Sequence, residues 1–198
     1  MDGMDAETGL DPIALFGAWM KEAEASELND ASAMALATAT CDGMPSVRMV
    51  LMKQVDERGF CFYTNAESQK GLELAGNPRA AMCFHWKSLR RQVRIAGTVT
   101  ELPANEADDY FHSRSRLSQL GAVASEQSHV LASRELLEAR VKDLEKKFPE
   151  EIPRPDYWRG YVLGPERIEF WTGREGRLHD RFLFSRNGDG WRKERLFP

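Results

Sequence analysis

Four stretches of the sequence carry side chains able to act on a charged ligand. In Arg48-Met49-Val50-Leu51-Met52-Lys53 the two cations have opposite parity along a strand, so they face opposite sides. One can bind an anion in a cleft while the other reaches a second ligand. Tyr63-Thr64 precedes Ser68-Gln69-Lys70, which opens a short helix. Free N–H groups and a cation at a helix start make a phosphate site. From Tyr110 to Gln119, Arg114 and Arg116 stand among Ser113, Ser115, Ser118 and Tyr110. Guanidinium forks match phosphate oxygens, so this set can converge on one dianion. In Arg177-Leu178-His179-Asp180-Arg181, a strand would place Arg177, His179 and Arg181 on one face, where they repel unless a ligand lies between them. Trp171 flanks that face. Each stretch also has a plainer reading when taken alone: solvated charges at Arg48 and Lys53, an ordinary N-cap with exposed polar residues at Ser68-Gln69-Lys70, a basic helix end that complements the dipole, a core indole at Trp171. The fourth stretch is the hardest to explain without a ligand.

These residues need elements to hold them. Asp11-Pro12 is a helix start, with an N-cap Asp and Pro at the first helical position. Leu15, Phe16, Trp19 and Ala23 follow at helical spacing, to an end near Asn29-Asp30. Residues 33–40, 46–55 and 60–64 read as strands joined by the turns Asp42-Gly43 and Arg58-Gly59. A short helix over 67–75 stops at Gly76-Asn77-Pro78. Strands are expected at 79–86 and 92–102, and a helix from Pro103 to about His112. Residues 113–128 read as irregular. A long helix follows, capped by Ser133, with Leu137, Val141, Leu144 and Phe148 on one face. Strands at 157–163, 167–171, 178–186 and 191–196 close the chain. Seven or eight strands against three or four helices, without β-α-β alternation, give a mainly β fold with flanking helices. An antiparallel barrel fits best.

Composition narrows the function. The 198 residues suit one domain, 11–198, behind an acidic tail, 1–10, that reads as disordered. Lys plus Arg number 27 against 31 Asp plus Glu, a net charge of −4, which argues against a general nucleic-acid binder. Arg concentrates from Arg79 onward, which suits a small anionic ligand. Cys41, Cys61 and Cys83 are widely spaced and read as reduced thiols of a cytoplasmic protein. No run is apolar enough for a membrane span, and no basic, apolar leader is present. Glycine-rich nucleotide cradles and a G-x-S-x-G elbow are absent. The four histidines, His85, His112, His129 and His179, are scattered, so no metal site is expected. Redox chemistry would require an organic cofactor.

In order along the chain, Arg48 to Lys53, Phe62-Tyr63-Thr64-Asn65, Arg91-Gln92-Val93, Tyr110 to Arg114 with Ser118-Gln119, Ile168-Glu169-Phe170-Trp171 with Gly173, Arg177 to Phe182 and Arg195-Leu196-Phe197-Pro198 resemble the pyridoxine/pyridoxamine 5′-phosphate oxidase family. The resemblance runs from about Asp11 to Pro198. It implies a split β-barrel homodimer with flavin mononucleotide (FMN) at the subunit interface. FMN contacts carry over to Arg48, Met49, Val50, Leu51, Lys53, Tyr63, Thr64, Gln69, Lys70, Gln92, Gln127, Ser128, Trp171 and Arg181. Contacts to the substrate phosphate carry over to Lys53, Tyr110, Arg114 and Ser118. Arg177 and His179 carry over as the catalytic pair against the substrate ring. The implied reaction oxidises pyridoxine or pyridoxamine 5′-phosphate to pyridoxal 5′-phosphate, with O2 as acceptor and H2O2 as product. A related flavin oxidase of phenazine-biosynthesis type and a non-catalytic flavin- or pyridoxal-phosphate-binding protein remain as alternatives.

Three features depart from the family pattern; one is that the N-terminal tail lacks the Arg-x-x-Tyr segment of some members, which puts the role of that segment in lidding the site, or in a second ligand site, in doubt here. Gln69 stands where the family usually has Arg, which predicts a weaker grip on the flavin phosphate. Ser115 stands where Pro is common, which predicts a looser phosphate loop.

Overall fold

The computed structural model describes residues 11–198; the tail expected at 1–10 lies outside them. Helix α1 (Pro12–Ser26) starts where the sequence sets it, with Asp11 accepting from the Ile13 N–H at 3.0 Å. It stops short of the predicted end, because Glu27 is already extended. Strands β1 (Ala33–Ala39) and β2 (Pro45–Leu51) form the first hairpin. Strand β3 (Gln54–Asp56) pairs with β4 (Gly59–Asn65) as the second. Helix α2 (Gln69–Gly76), β5 (Arg79–Trp86) and β6 (Arg91–Glu101) follow. Next come α3 (Ala104–Ser113), α4 (Arg116–Ala124), α5 (Arg134–Lys147), β7 (Trp158–Thr172), β8 (Asp180–Asn187) and β9 (Gly190–Arg195).

The predicted strand over 46–55 is in fact two strands, broken at Met52 and Lys53. The sheet runs β2-β1-β5-β6-β7-β4-β3, so the two halves of that strand lie at opposite edges. The break joins the edges: the Met52 N–H donates to Ser32 O at 3.0 Å and the Lys53 N–H to Cys61 O at 2.9 Å. The antiparallel sheet curls into a barrel, with β8 and β9 extending from β7.

Two predicted strands, 157–163 and 167–171, are one long β7. Its register against β6 shifts between Ala96 and Gly97, a bulge that absorbs Glu166. A β-carbon at Gly97 would lie 2.0 Å from Gly164 O, so the close approach at the bulge needs glycine. The stretch read as irregular holds α4, whose cap is Ser115. Leu120 and Ala124 bury its inner face, but Ser, Arg and Gln masked that periodicity.

Alternation explains the core. In β1 every second residue is buried, and β5 does nearly the same. Phe16 of α1 plugs the barrel, 4.9 Å from the Phe60 ring and 5.0 Å from that of Phe84. Trp19 meets Phe170 at 5.1 Å. A second cluster, with Phe111, Leu120, Ile152 and Trp158, binds α3, α4 and α5 to the start of β7. Strand β2 instead leaves Val47 and Met49 about two-thirds exposed, an apolar strip without a partner inside the protomer.

Phe16 is fully buried and joins α1 to two strands. Phe16→Ala is expected to cost about 3–5 kcal/mol of stability. Urea unfolding followed by tryptophan fluorescence would show this. A midpoint within error of the parent would refute the plug.

Candidate active site

Two clefts open beside the barrel and share one wall. The smaller, about 440 Å³, is lined by Ser46, Val47, Arg48, Met49, Val50, Gln69, Lys70 and Ser128. The larger, about 660 Å³, is lined by Leu51, Lys53, Tyr110, Arg114, Ser115, Ser118 and Trp158, among others. Tyr63, Thr64 and Gln127 line both. The end of β2 and the break that follows it account for the arrangement: Ser46 to Val50 line the smaller cleft, while Leu51, the last residue of β2, and Lys53 line the larger. Arg48 and Lys53 do serve separate clefts, although the parity argument for one continuous strand does not apply.

In the smaller cleft Lys70 is buried, with Nζ 2.9 Å from Gln127 Oε1 and 3.2 Å from both Thr64 Oγ1 and Ser68 Oγ. All three partners are neutral. Burial, followed by the repulsion of Arg48, lowers its pKa to about 8 against the pull of Glu73. Ser68 caps α2, which begins at Gln69 and leaves the first N–H groups of the helix available. A buried ammonium beside a helix start has the chemistry of a phosphate site. The side chains therefore fit the phosphate of FMN.

Arg48 is less free than the sequence suggests. Its Nη1 donates to Leu36 O at 3.2 Å and to Thr38 Oγ1 at 2.6 Å. Its Nη2 donates to Ser46 Oγ at 2.5 Å and lies 3.5 Å from Glu73 Oε2. Glu73 also accepts from Thr38, from Ser46 at 2.6 Å and from Gln69 at 3.0 Å. Burial alone would raise the Glu73 pKa, but the hydrogen bonds and Arg48 together bring it below its usual value. Glu73 was missed in the sequence; its position four residues after Gln69 on a helix was the available signal.

In the larger cleft the guanidinium of Arg114 lies 5.1 Å over the Trp158 ring and 6.0 Å over that of Phe111. Its Nη1 is buried without a hydrogen-bond partner. Ser115 Oγ bonds Ser118 Oγ at 2.9 Å and accepts from the Ser118 N–H at 3.3 Å. Ser115 thus caps α4. Arg116, a candidate in the same stretch, turns away to the carbonyls of Phe148 and Glu150. Trp158 was also missed, because nothing near it in sequence relates it to Arg114.

The remaining candidates form a separate group. Register aligns Gln92 with Trp171 and Trp171 with Arg181, so these three sit in one row across β6, β7 and β8. The His179 ring is 4.6 Å from that of Trp171. Arg181 pairs with Glu169 at 2.8 Å and donates to Phe197 O at 2.9 Å. The expected strand face of Arg177, His179 and Arg181 does not form. Arg177 ends a 3-10 turn with φ +62°, and β8 begins only at Asp180. Gly176 also has a positive φ there, a backbone no strand adopts. Gln92, Trp171, Arg177, His179 and Arg181 line neither cleft of this protomer. Ser128 joins Arg177 in the left-handed region, at φ +75°. Such strain in non-glycine residues concentrates at functional sites.

Comparison with known proteins agrees with this geometry. An FMN-binding protein from Nostoc punctiforme, related to pyridoxamine 5′-phosphate oxidase, superposes with a TM-score of 0.77 at 20% identity, over 96% of this chain and all of the other. The fold is therefore that of the FMN-binding split barrels. The family model for pyridoxamine 5′-phosphate oxidase matches residues 20–148, and that for the pyridoxine 5′-phosphate oxidase C-terminal dimerisation region matches 158–198. The chain belongs to the pyridoxine/pyridoxamine 5′-phosphate oxidase family. A pyridoxine/pyridoxamine 5′-phosphate oxidase of Gluconobacter oxydans is 58% identical over 95% of this chain and 94% of its own. One of Erythrobacter litoralis is 56% identical over 95% and 91%. PhzG from Burkholderia lata, solved with tetrahydrophenazine-1-carboxylic acid, superposes with a TM-score of 0.94 at 33% identity, over all of this chain and 97% of its own.

Two predictions follow from the smaller cleft. A phosphate beside Lys70 favours its charged form, so binding takes up a proton once pH exceeds about 8. FMN affinity is expected to fall as pH rises from 7.5 to 9.5, approaching tenfold per unit, and Lys70→Met to flatten that limb. Quenching of flavin fluorescence measures it, and a flat parent profile would refute the role of Lys70. Gln69→Arg, which adds a cation at the cleft, is expected to tighten FMN binding by about threefold to tenfold. Unchanged affinity would mean that Glu73 captures the new charge.

Proposed function

We propose that this chain is an FMN-dependent oxidase that converts pyridoxamine and pyridoxine 5′-phosphates to pyridoxal 5′-phosphate. O2 is the electron acceptor, H2O2 the product, and a homodimer in the cytoplasm the working form. The observation that carries this reading is the pair of joined clefts, each with its own buried or half-buried cation. One suits a flavin phosphate. The other, with Lys53, Arg114, Tyr110 and Ser118, suits a substrate phosphate. The second cation set favours a phosphorylated substrate over the unphosphorylated carboxylic acid bound in PhzG. Relatives above 50% identity bear the B6-phosphate name.

When bound, FMN supplies the hydride acceptor. The chain supplies position and charge. Lys70, Thr64, Gln127, Ser128 and the start of α2 hold the flavin phosphate, with Arg48 braced behind them. Met49, Val50 and Leu51 line the neighbouring wall. Lys53, Tyr110, Arg114 and Ser118 hold the substrate phosphate, which contributes binding energy away from the reacting carbon. Gln92, Trp171, Arg177, His179 and Arg181 then complete the site from the partner subunit. The exposed strip on β2 and the C-terminal dimerisation region support that arrangement.

His179 has a definite role in this reading. The Arg174 N–H donates to His179 Nδ1 at 3.1 Å, so the neutral ring carries its proton on Nε2. It presents a donor to a substrate oxygen or nitrogen. Arg177, held on a left-handed turn, presents its charge to the same ring.

Addition of pyridoxine 5′-phosphate to the FMN-loaded protein is expected to release peroxide in step with pyridoxal phosphate. A yellow, loaded protein that releases none would overturn the proposal. Arg177→Ala is expected to lower kcat by roughly a hundredfold with flavin content unchanged. Full turnover in that variant would remove Arg177 from the mechanism.

A further inference from the structure

We propose that Trp158 is the positioning residue of the larger cleft, holding Arg114 ready for the substrate phosphate. The inference rests on the reading of Arg114 as a phosphate ligand and extends it to the residue that places it.

The argument starts from what Arg114 lacks. Among the described residues its guanidinium has no carboxylate in ion-pair range, and its buried Nη1 has no acceptor. Burial lowers its pKa, with only a minor opposing pull from Tyr110. A guanidinium half removed from water and without hydrogen bonds would ordinarily swing toward solvent or toward an acid. Here its neighbours are aromatic faces: Trp158 at 5.1 Å and, farther off, Phe111 at 6.0 Å. A ring face attracts a cation most strongly where water is excluded, and indole does so best. Trp158 is itself fixed. It is 6% exposed and stacks on Tyr63 at 5.4 Å and 11°, and Tyr63 stacks on Tyr110 at 4.2 Å. Gly160, opposite Tyr63 in the β4–β7 register, makes room for that ring. A β-carbon there would lie 2.7 Å from Tyr63 Cε1.

The arrangement has a functional logic. A carboxylate could also hold Arg114, but it would neutralise the charge meant for phosphate. An indole fixes the guanidinium and leaves both its charge and its hydrogen-bond donors unclaimed. Trp158 therefore acts through Arg114, not on the reacting atoms.

A double-mutant cycle on the FMN-loaded enzyme tests this. Trp158→Leu is expected to raise KM for pyridoxine 5′-phosphate about tenfold and to weaken competitive inhibition by inorganic phosphate by the same factor. The change in kcat is expected to stay within about twofold. Trp158→Phe keeps a ring face and is expected to retain KM within about threefold. In an Arg114→Ala background, neither substitution at Trp158 is expected to change KM further. If Trp158→Leu proves unfolded, Trp158→Met, which also removes the ring face, takes its place in the cycle. A full additional KM increase in the Arg114→Ala background would overturn the proposal and leave Arg114 as a phosphate ligand. Unchanged KM and phosphate inhibition in Arg114→Ala itself would overturn the underlying reading.

Discussion

The backbone break at Met52 and Lys53 turns a sheet into a site. A continuous strand from Pro45 to Asp56 would pair along one edge and leave the other open. The break carries the chain from β1 to β4 through two hydrogen bonds, Met52 to Ser32 and Lys53 to Cys61. It also parts the cationic run Arg48 to Lys53, so that its two charges enter different clefts with Tyr63, Thr64 and Gln127 between them. Both phosphates of the proposed reaction need a cation. Placing both cations in one cleft would leave one ring system without an anchor.

The three principal cations are held in three different ways, and the differences follow from their tasks. Arg48 is braced by Glu73, Ser46 and Thr38, which makes it a fixed but partly neutralised charge. Lys70 has only neutral oxygens in hydrogen-bond range and a depressed pKa, so it gains most from an arriving dianion. Arg114 has aromatic rings and no acid. The smaller cleft thus combines a rigid charge with a responsive one, while the larger keeps a whole charge ready. Gln69 fits this balance: it donates to Glu73 at 3.0 Å and helps hold the acid that steadies Arg48.

Much of this was legible from residue types in order. The strands β1, β4, β5 and β6, the caps Asp11 and Ser133, and many of the residues lining the two clefts follow from alternation, capping chemistry and the family resemblance. The failures have physical causes. The break at Met52 occurs inside an apolar run that reads as strand on both sides. The bulge at Glu166 is a compensation in β7 for close packing at Gly97, visible only with both strands in register. Helix α4 was hidden because its exposed face is rich in Ser, Arg and Gln. The strand assumed for Arg177 to Arg181 failed at Gly176 and Arg177, whose positive φ values make a turn that alternation cannot foresee. Glu73 and Trp158 act through partners distant in sequence, so neither carries a local signature.

The division of the site residues into two groups is itself informative. Gln92, Trp171 and Arg181 form a row built by β6, β7 and β8, with His179 beside it. The row is stiffened from below by the Arg181–Glu169 pair and from the end by the chain terminus, through Arg181 to Phe197 O and Leu196 N–H to Arg181 O. So elaborate a mounting is hard to explain for residues serving nothing. Within one protomer the row lines neither of the two joined clefts. The proposed two-fold pairing would resolve this: an isologous interface that brought the row of each subunit to the clefts of the other would make two equivalent sites at once. The unpartnered strip of Val47 and Met49 on β2, next to Arg48, lies where such an interface would have to pass. On this reading, dimerisation is a condition of catalysis in this fold, because neither group of residues can close the site alone.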